Sequence, residues 1–247
     1  MRKGLKYFLG ALAGLLLVLG IVTAYYHEDR PKGVEGKEAE ALTDEVLAAL
    51  NNKGWEKVKL LQWNFRGKHY FLWDKTKNVA LIRWDNHEVI LDLSTVQGRA
   101  KTDGKEVEGS DKDNLVQKAW AYWCNDSFWM FAPFKLRDPG TKRSIVTLED
   151  GSKGLMITYE GGGVTPGDSY LWLLGPDKIP TGYKMWVKII PAGGTYMSWE
   201  NWVTLPSGAK VATYHKNDLF DLKMEEVKEG TSYKDFGYDQ DPFSLKP

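Results

Sequence analysis

The sequence predicts a mainly β, α+β fold: a curved antiparallel sheet of ten to twelve short strands under two helices, preceded by one N-terminal transmembrane or signal helix. Three observations carry this expectation. A basic start is followed by a run without charge at positions 7–26. From Glu56 onward apolar residues recur at every second position, in short runs divided by Gly, Asn and Asp turns. Eleven Trp, twelve Tyr and nine Phe accompany them, and aromatic side chains favour pleated surfaces and bury large areas.

Twenty residues at a rise of about 1.5 Å span roughly 30 Å, the thickness of a bilayer's hydrocarbon core. Arg2, Lys3 and Lys6 favour the cytoplasmic side, which sends the polar remainder out of the cytoplasm. Val22-Thr23-Ala24 offers small residues for signal cleavage after Ala24, whereas the length of the run and the Tyr25-Tyr26 pair favour an uncleaved anchor. The expected location is extracytoplasmic, tethered to the membrane through 7–26 or released by cleavage. The absence of a nearby cysteine excludes lipidation at this segment.

Without Arg2, Lys3 and Lys6 the chain has 30 basic against 33 acidic side chains, a net charge of about −3. No basic block is present, so nucleic acid is a poor partner. Cys124 stands alone, which rules out an intramolecular disulfide and a thiolate metal cluster. It reads as a packed thiol.

Along the chain, residues 27–36 read as a charged linker, 37–228 as one domain and 229–247 as a polar, loosely docked tail. Ala39, Leu42, Val46, Ala49 and Leu50 form one apolar stripe, predicting a helix over 37–52 with Gly54 as its stop. Leu61, Trp63 and Phe65 share a strand face, and further strands are expected at 69–73, 78–84 and 88–93. Leu115, Val116, Ala119, Trp120 and Trp123 predict a second helix over 111–124. Strands follow at 127–131, 144–149, 154–160, 169–174, 182–190, 195–205 and 209–215, with an edge segment at 219–227. Several are apolar on both faces, such as Tyr170/Trp172/Leu174 against Leu171/Leu173. Such a sheet cannot face water on both sides, and the two helices are the available cover.

The strings FWMFAPFKLRDPG at 128–140 and GVTPGDSYLW at 163–172, together with this order of elements, resemble the bacterial lipoprotein-carrier family, the LolA/LolB-like outer-membrane lipoprotein-sorting proteins. The resemblance covers about 37–228. It implies an unclosed half-barrel of about eleven strands with a helical lid and a cavity that receives acyl chains. LolA-like carriers are cleaved and soluble, and LolB-like receptors carry a lipidated cysteine; this chain departs from both.

The expected function is therefore non-catalytic: holding a lipid or lipoprotein acyl chain, with no cofactor, alongside a possible envelope transport partner. Trp63, Trp84, Trp129, Trp172, Trp186 and Trp199 are the expected cavity lining, because broad apolar walls supply about 0.8 kcal/mol per buried CH₂. Leu42, Val46, Leu50, Leu115 and Trp120 are the expected lid contacts. No catalytic or metal residue is assigned: His69, His87 and His215 lack ligand spacing, and no nucleophile elbow is present. The glycine-rich 161–168 stretch precedes a strand, which excludes a phosphate loop; a turn at Pro166-Gly167 near the barrel's mouth is expected. The alternative is a secreted carbohydrate-active or sugar-binding β protein using Glu200 with Asp168 or Glu160. Glu200 is attractive there because Trp199 and Trp202 flank its strand.

Overall fold

The computed structural model describes residues 2–161 and 167–244, apart from some side chains of the first helix (positions 2, 3, 5, 6, 13, 15–19, 21 and 22). That helix is α1 (Arg2–Tyr26), followed by α2 (Lys37–Ala49) and the short α3 (Asn52–Lys57). A meander comes next: β1 (Leu60–Phe65), β2 (His69–Asp74), β3 (Val79–Trp84), β4 (His87–Asp92), β5 (Gln97–Thr102) and β6 (Lys105–Val107). The long α4 (Gly109–Phe131) runs into a 3-10 turn, Ala132–Phe134. Then come β7 (Thr141–Thr147), β8 (Lys153–Tyr159), β9 (Ser169–Leu174), β10 (Pro180–Trp186) and β11 (Thr195–Ser198). The last strands are β12 (Glu200–Thr204), β13 (Lys210–Lys216) and β14 (Asp221–Gly230).

The protein is mainly β, with two unclosed antiparallel sheets of nine and five strands and a few helices. The nine-stranded order is β12-β13-β14-β1-β2-β3-β4-β5-β6, and the five-stranded order is β11-β10-β9-β8-β7. Only Trp199 separates β11 from β12, so one bent strand joins the sheets. The single expected strand at 195–205 thus serves both. Its bend is pinned by β13: Lys216 N donates to Ser198 Oγ at 3.0 Å, and His215 Nδ1–H donates to the Ser198 carbonyl at 3.0 Å.

The described residues form fourteen strands where about eleven were expected. β5 and β6 escaped the pattern because Ala100 is the one fully buried side chain in QGRAKT and KEV. Residues 127–131 are not a strand but the end of α4. The aromatic run FWMF looks strand-like, yet Ser127, Met130 and Phe131 continue the buried helical stripe until Pro133 intervenes. Residues 219–227 are not an edge either: β14 lies between β13 and β1. Gly54 sits inside α3 rather than ending α2. Asn51 makes that break by taking the left-handed conformation (φ 56°) and accepting Gly54 N at 3.1 Å. A Cβ on Gly54 would lie 2.6 Å from the Ser207 carbonyl, so this close approach requires glycine.

Helices cover one face. The N-terminal half of α4 packs on β4 and β5 and its C-terminal half reaches β13, while α2 lies on β7 and β8. Beneath α4, Trp63 stacks on its cross-strand partner Phe71 at 4.7 Å and meets Phe131 edge-on at 5.1 Å. The opposite face is covered by chain termini, which sequence periodicity did not reveal. Tyr233, Phe236, Tyr238 and Phe243 pack over Leu72, Leu81 and Ile90, and Tyr233 Oη donates to Asp74 at 2.6 Å. The tail expected to be loose is therefore docked. Residues 27–36 lie against the five-stranded sheet: Arg30 donates to Ser169 Oγ at 2.9 Å and Val34 bridges Ile145.

Two predictions follow from this packing. Truncation after Gly230 uncovers Leu72, Leu81 and Ile90 and is expected to remove several kcal/mol of stability, at about 1.5–3 kcal/mol per uncovered side chain. Urea denaturation measures it, and an unchanged midpoint would contradict the docking. His215 is fully buried, and desolvation pushes its pKa from 6.5 down to about 4. The unfolded chain then binds the extra proton between these values, so this contribution is full above pH 6.5 and is lost as pH falls toward 4. It amounts to roughly 3 kcal/mol at most. Denaturation midpoints should fall over that window in the wild type and fall less in His215→Gln.

Candidate functional site

An apolar cavity of about 600 Å³ opens between the C-terminal half of α4 and the helix-facing side of β8–β10. Trp120, Trp123, Phe128 and Trp129 form the α4 wall. Tyr159, Tyr170, Tyr183 and Met185 form the sheet wall, one or two residues from each strand. They share a face because side chains alternate: Tyr183 pairs across the strands with Trp172, and Met185 with Tyr170. Val187, Ile189, Ile190 and Phe220 edge the mouth.

Few polar groups reach this space. Lys135 and Asp138 pair with one another at 2.7 Å, and Asp168 Oδ1 accepts Lys188 N at 3.1 Å. The hydroxyls of Tyr159 and Tyr183 are buried and make no hydrogen bond among the described residues. Burial pushes the Tyr159, Tyr170 and Tyr183 phenols well above the ordinary tyrosine value, so they remain neutral donors. Cys124 also lines the cavity; burial pushes its thiol up to about 11, the opposite of an activated nucleophile.

Of the six expected lining tryptophans, Trp129 borders the cavity, and it does so from α4 rather than from a strand. Trp63, Trp84, Trp172 and Trp199 are buried in the packed core. Trp186 faces the opposite side of the sheet beside Val146, Met156 and Leu171, because it follows the inward Met185 by one residue. Among the expected lid contacts, Trp120 borders the cavity, Leu42, Val46 and Leu50 are buried under α2, and Leu115 is half-buried. Trp content does not point to the cavity tyrosines; the alternation 155/157/159 and 170/172/174, which sets Tyr159 and Tyr170 on the inward face, is the sequence signal that finds two of them. The strings at 128–140 and 163–172 both reach this cavity, through Phe128, Trp129, Lys135, Asp138 and Pro139, and through Asp168 and Tyr170. Positions 162–166, including Pro166 of the expected turn, lie outside the described residues.

The carboxylates of the sugar-chemistry alternative have separate neighbours. Glu200 lies 3.5 Å from Lys216, and Glu160 lies 2.6 Å from Lys142. Among the described residues no group of three His, Cys, Asp or Glu has metal-site geometry. A second, shallower groove of about 550 Å³ lies on β12–β14, lined by Val203, Leu205 and Met224 among others.

Polar contacts hold the helices that frame the cavity. His69 on β2 lies 2.6 Å from the buried Asp126 carboxylate on α4, with Tyr122 stacked on the imidazole at 3.8 Å. Sequence pattern placed His69 on a strand but gave no sign of Asp126. Glu40 on α2 takes Arg137 at 2.6 Å and Arg143 at 2.7 Å; the hydrogen bond from Arg143 leads in holding its carboxyl below the usual range. Among the described residues, which leave out the side chains at 13, 15–19, 21 and 22 of the apolar run in α1, no helix is long and apolar enough to cross a membrane.

No family model matches this chain, and no curated protein matches it. A solved structure, a DUF1329 family protein from Desulfovibrio piger, is similar over 81% of this chain and 98% of its own, at 10% identity and a TM-score of 0.42.

Asp126→Ala strips the partner from His69 and leaves a void under α4. Its expected cost is about 2–3 kcal/mol, read as a lower urea midpoint; a loss below the error of that measurement would show that the contact does not hold α4.

Proposed function

We propose that this protein is a non-catalytic carrier that holds the acyl chain of a lipid or lipoprotein in the cavity between α4 and β8–β10. The observation that carries this reading is a 600 Å³ hollow walled by aromatic side chains, whose lining includes Tyr159 and Tyr183, with hydroxyls buried and without a hydrogen-bond partner among the described residues. A volume of this order matches that of small-ligand sites, about 300–1,000 Å³. Each methylene taken from water contributes about 0.8 kcal/mol, so an alkyl chain needs no ionic contact to bind. The tyrosine hydroxyls suit a carbonyl oxygen such as that of an ester, which accepts but does not donate.

In this reading the bent, unclosed sheet is a half-barrel of the LolA/LolB-like kind, working in the periplasm. The uncharged run at 7–26 supplies the attachment to the inner membrane, or the export signal if it is cleaved. Entry and exit use the mouth at Val187–Ile190 and Phe220 instead of a swing of α4, whose Val116, Ala119, Asp126 and Met130 are buried.

Native mass spectrometry of gently purified protein and displacement of a fluorescent fatty-acyl probe test the reading together. Wild-type protein should carry lipid and bind the probe. Cys124→Phe, which fills the cavity from a partly exposed position, should abolish binding while retaining the wild-type melting profile. Tyr183→Phe should keep alkyl binding but weaken an ester-bearing lipid about fivefold, the equivalent of about 1 kcal/mol. A well-folded wild-type protein that binds no acyl probe, or equal binding by Cys124→Phe, rules the carrier out.

A further inference from the structure

We propose that the cavity mouth is held against the membrane that carries α1, with Ile189, Leu219 and Phe220 dipping into its outer leaflet. This deepens the carrier reading and rests on it for the role of the mouth and on α1 as an anchor. Two independent observations point to a lipid surface as the occupant.

The first is apolar exposure concentrated at one place. Ile189 is 74% exposed, Leu219 89% and Phe220 47%, and Ile189 and Phe220 both border the cavity mouth. Single exposed apolar side chains are ordinary. Two that line the cavity from separate loops, with Leu219 next to Phe220 in the chain, carry apolar surface from the surroundings to the opening.

The second is the attachment of the chain leaving α1. The helix ends at Tyr26, and the next residue, His27, accepts Gly193 N on Nδ1 at 3.0 Å. Glu28 N donates to the Gly193 carbonyl at 2.9 Å, and Trp186 Nε1 donates to the Glu28 carbonyl at 2.7 Å. Lys184 Nζ meets the Glu28 carboxylate at 2.6 Å. The sequence is fitted to this contact: a Cβ on Gly193 would stand 2.5 Å from Trp186 Cδ1, and one on Gly194 would stand 2.5 Å from Glu28 Cβ. Gly193 belongs to the β10–β11 loop that carries Ile189. Four residues of even fully extended chain span about 14 Å, so Ile189 stays close to the end of the helix. Tyr25 and Tyr26, both exposed, then sit at the interface level that tyrosine prefers. An anchor joined to this loop leaves the domain little freedom to turn its mouth away from the bilayer.

The test uses the full chain with Cys124→Ser, reconstituted in phosphatidylcholine–phosphatidylglycerol nanodiscs. Single cysteines at Ile189→Cys, Leu219→Cys and Ser152→Cys carry an environment-sensitive fluorophore. Ser152 lies in the β7–β8 turn, at the opposite end of β8 from the cavity-lining Tyr159. Labels at 189 and 219 should shift to the blue and lose fluorescence to brominated lipid, while the label at 152 stays quenchable by aqueous iodide. Labels at 189 and 219 that behave like the one at 152 overturn the orientation, whatever the cavity binds. Acyl-probe binding of the unlabelled wild-type chain in the same nanodiscs reports separately on the cavity: its absence, with quenching at 189 and 219 intact, sinks the carrier reading and supports the orientation.

Discussion

Everything that makes a hollow possible depends on one change of direction at Trp199. Had 195–205 run straight, its two halves would have extended one flat sheet, and α4 would have met a single surface. Because β11 and β12 belong to different sheets, buried residues of both sheets meet in one hydrophobic core. The corner is enforced by polar contacts from the neighbouring strand, with Ser198 receiving both His215 and the Lys216 amide. Asn201, at φ 52°, places an irregularity two residues beyond the bend, and Thr213 Oγ1 donates to its carbonyl at 2.9 Å. Corners of this kind, where a strand switches sheets through a bulge, are a known way of folding sheets over one core.

The narrow part of that angle is filled with rings. Trp199 meets Trp172 edge-on at 4.9 Å and His215 at 4.4 Å, and Trp129 descends from α4 to within 5.4 Å of the same imidazole. The cost is visible in the indole N–H groups of Trp172 and Trp199, which are buried without a hydrogen-bond partner among the described residues. An unmet buried donor costs about 1–3 kcal/mol, and edge-on ring contacts return part of that. Large rings fill the corner tightly, and what they leave open is the wider end between α4 and β8–β10. Pro133 contributes by ending α4 there; it has no N–H for the Trp129 carbonyl four residues earlier, whose backbone is a polar neighbour of His215.

The sequence made the class of fold legible and left the placement of its faces obscure. Period-two patterning located most strands because their buried side chains alternate, as in Leu61, Trp63 and Phe65. It failed where burial does not come from alternation: β5 and β6 have little apolar content, and residues 127–131 are helical despite an aromatic string. The candidate site was half legible. Trp content pointed correctly to an aromatic interior, but parity decides which ring faces which side, and a shift of one residue sends Trp186 outward while Met185 points in. The covers of the opposite face were not legible at all. The tail and the 27–36 segment look polar because only isolated residues, such as Phe243 and Val34, do the covering or pairing, and nothing in local spacing says where they land.

Electrostatics narrows the kind of guest that the carrier reading allows. The buried phenols stay neutral because desolvation penalises their anions, and the Cys124 thiol stays neutral for the same reason. Lys135 and Asp138 spend their charges on each other. Apart from that pair and the buried Asp168, which accepts the Lys188 N–H, the described lining residues carry no charge, so a charged group taken to the bottom would lose its hydration with little to replace it. A guest consistent with these walls is uncharged over the length that enters, with any carbonyl at the depth of Tyr159 or Tyr183. In that reading its charged end stays at the mouth, near the exposed Lys188, whose backbone N–H donates to the buried Asp168. That is the polarity of a lipid: an alkyl chain, an ester and then a head group, in that order from the interior outward.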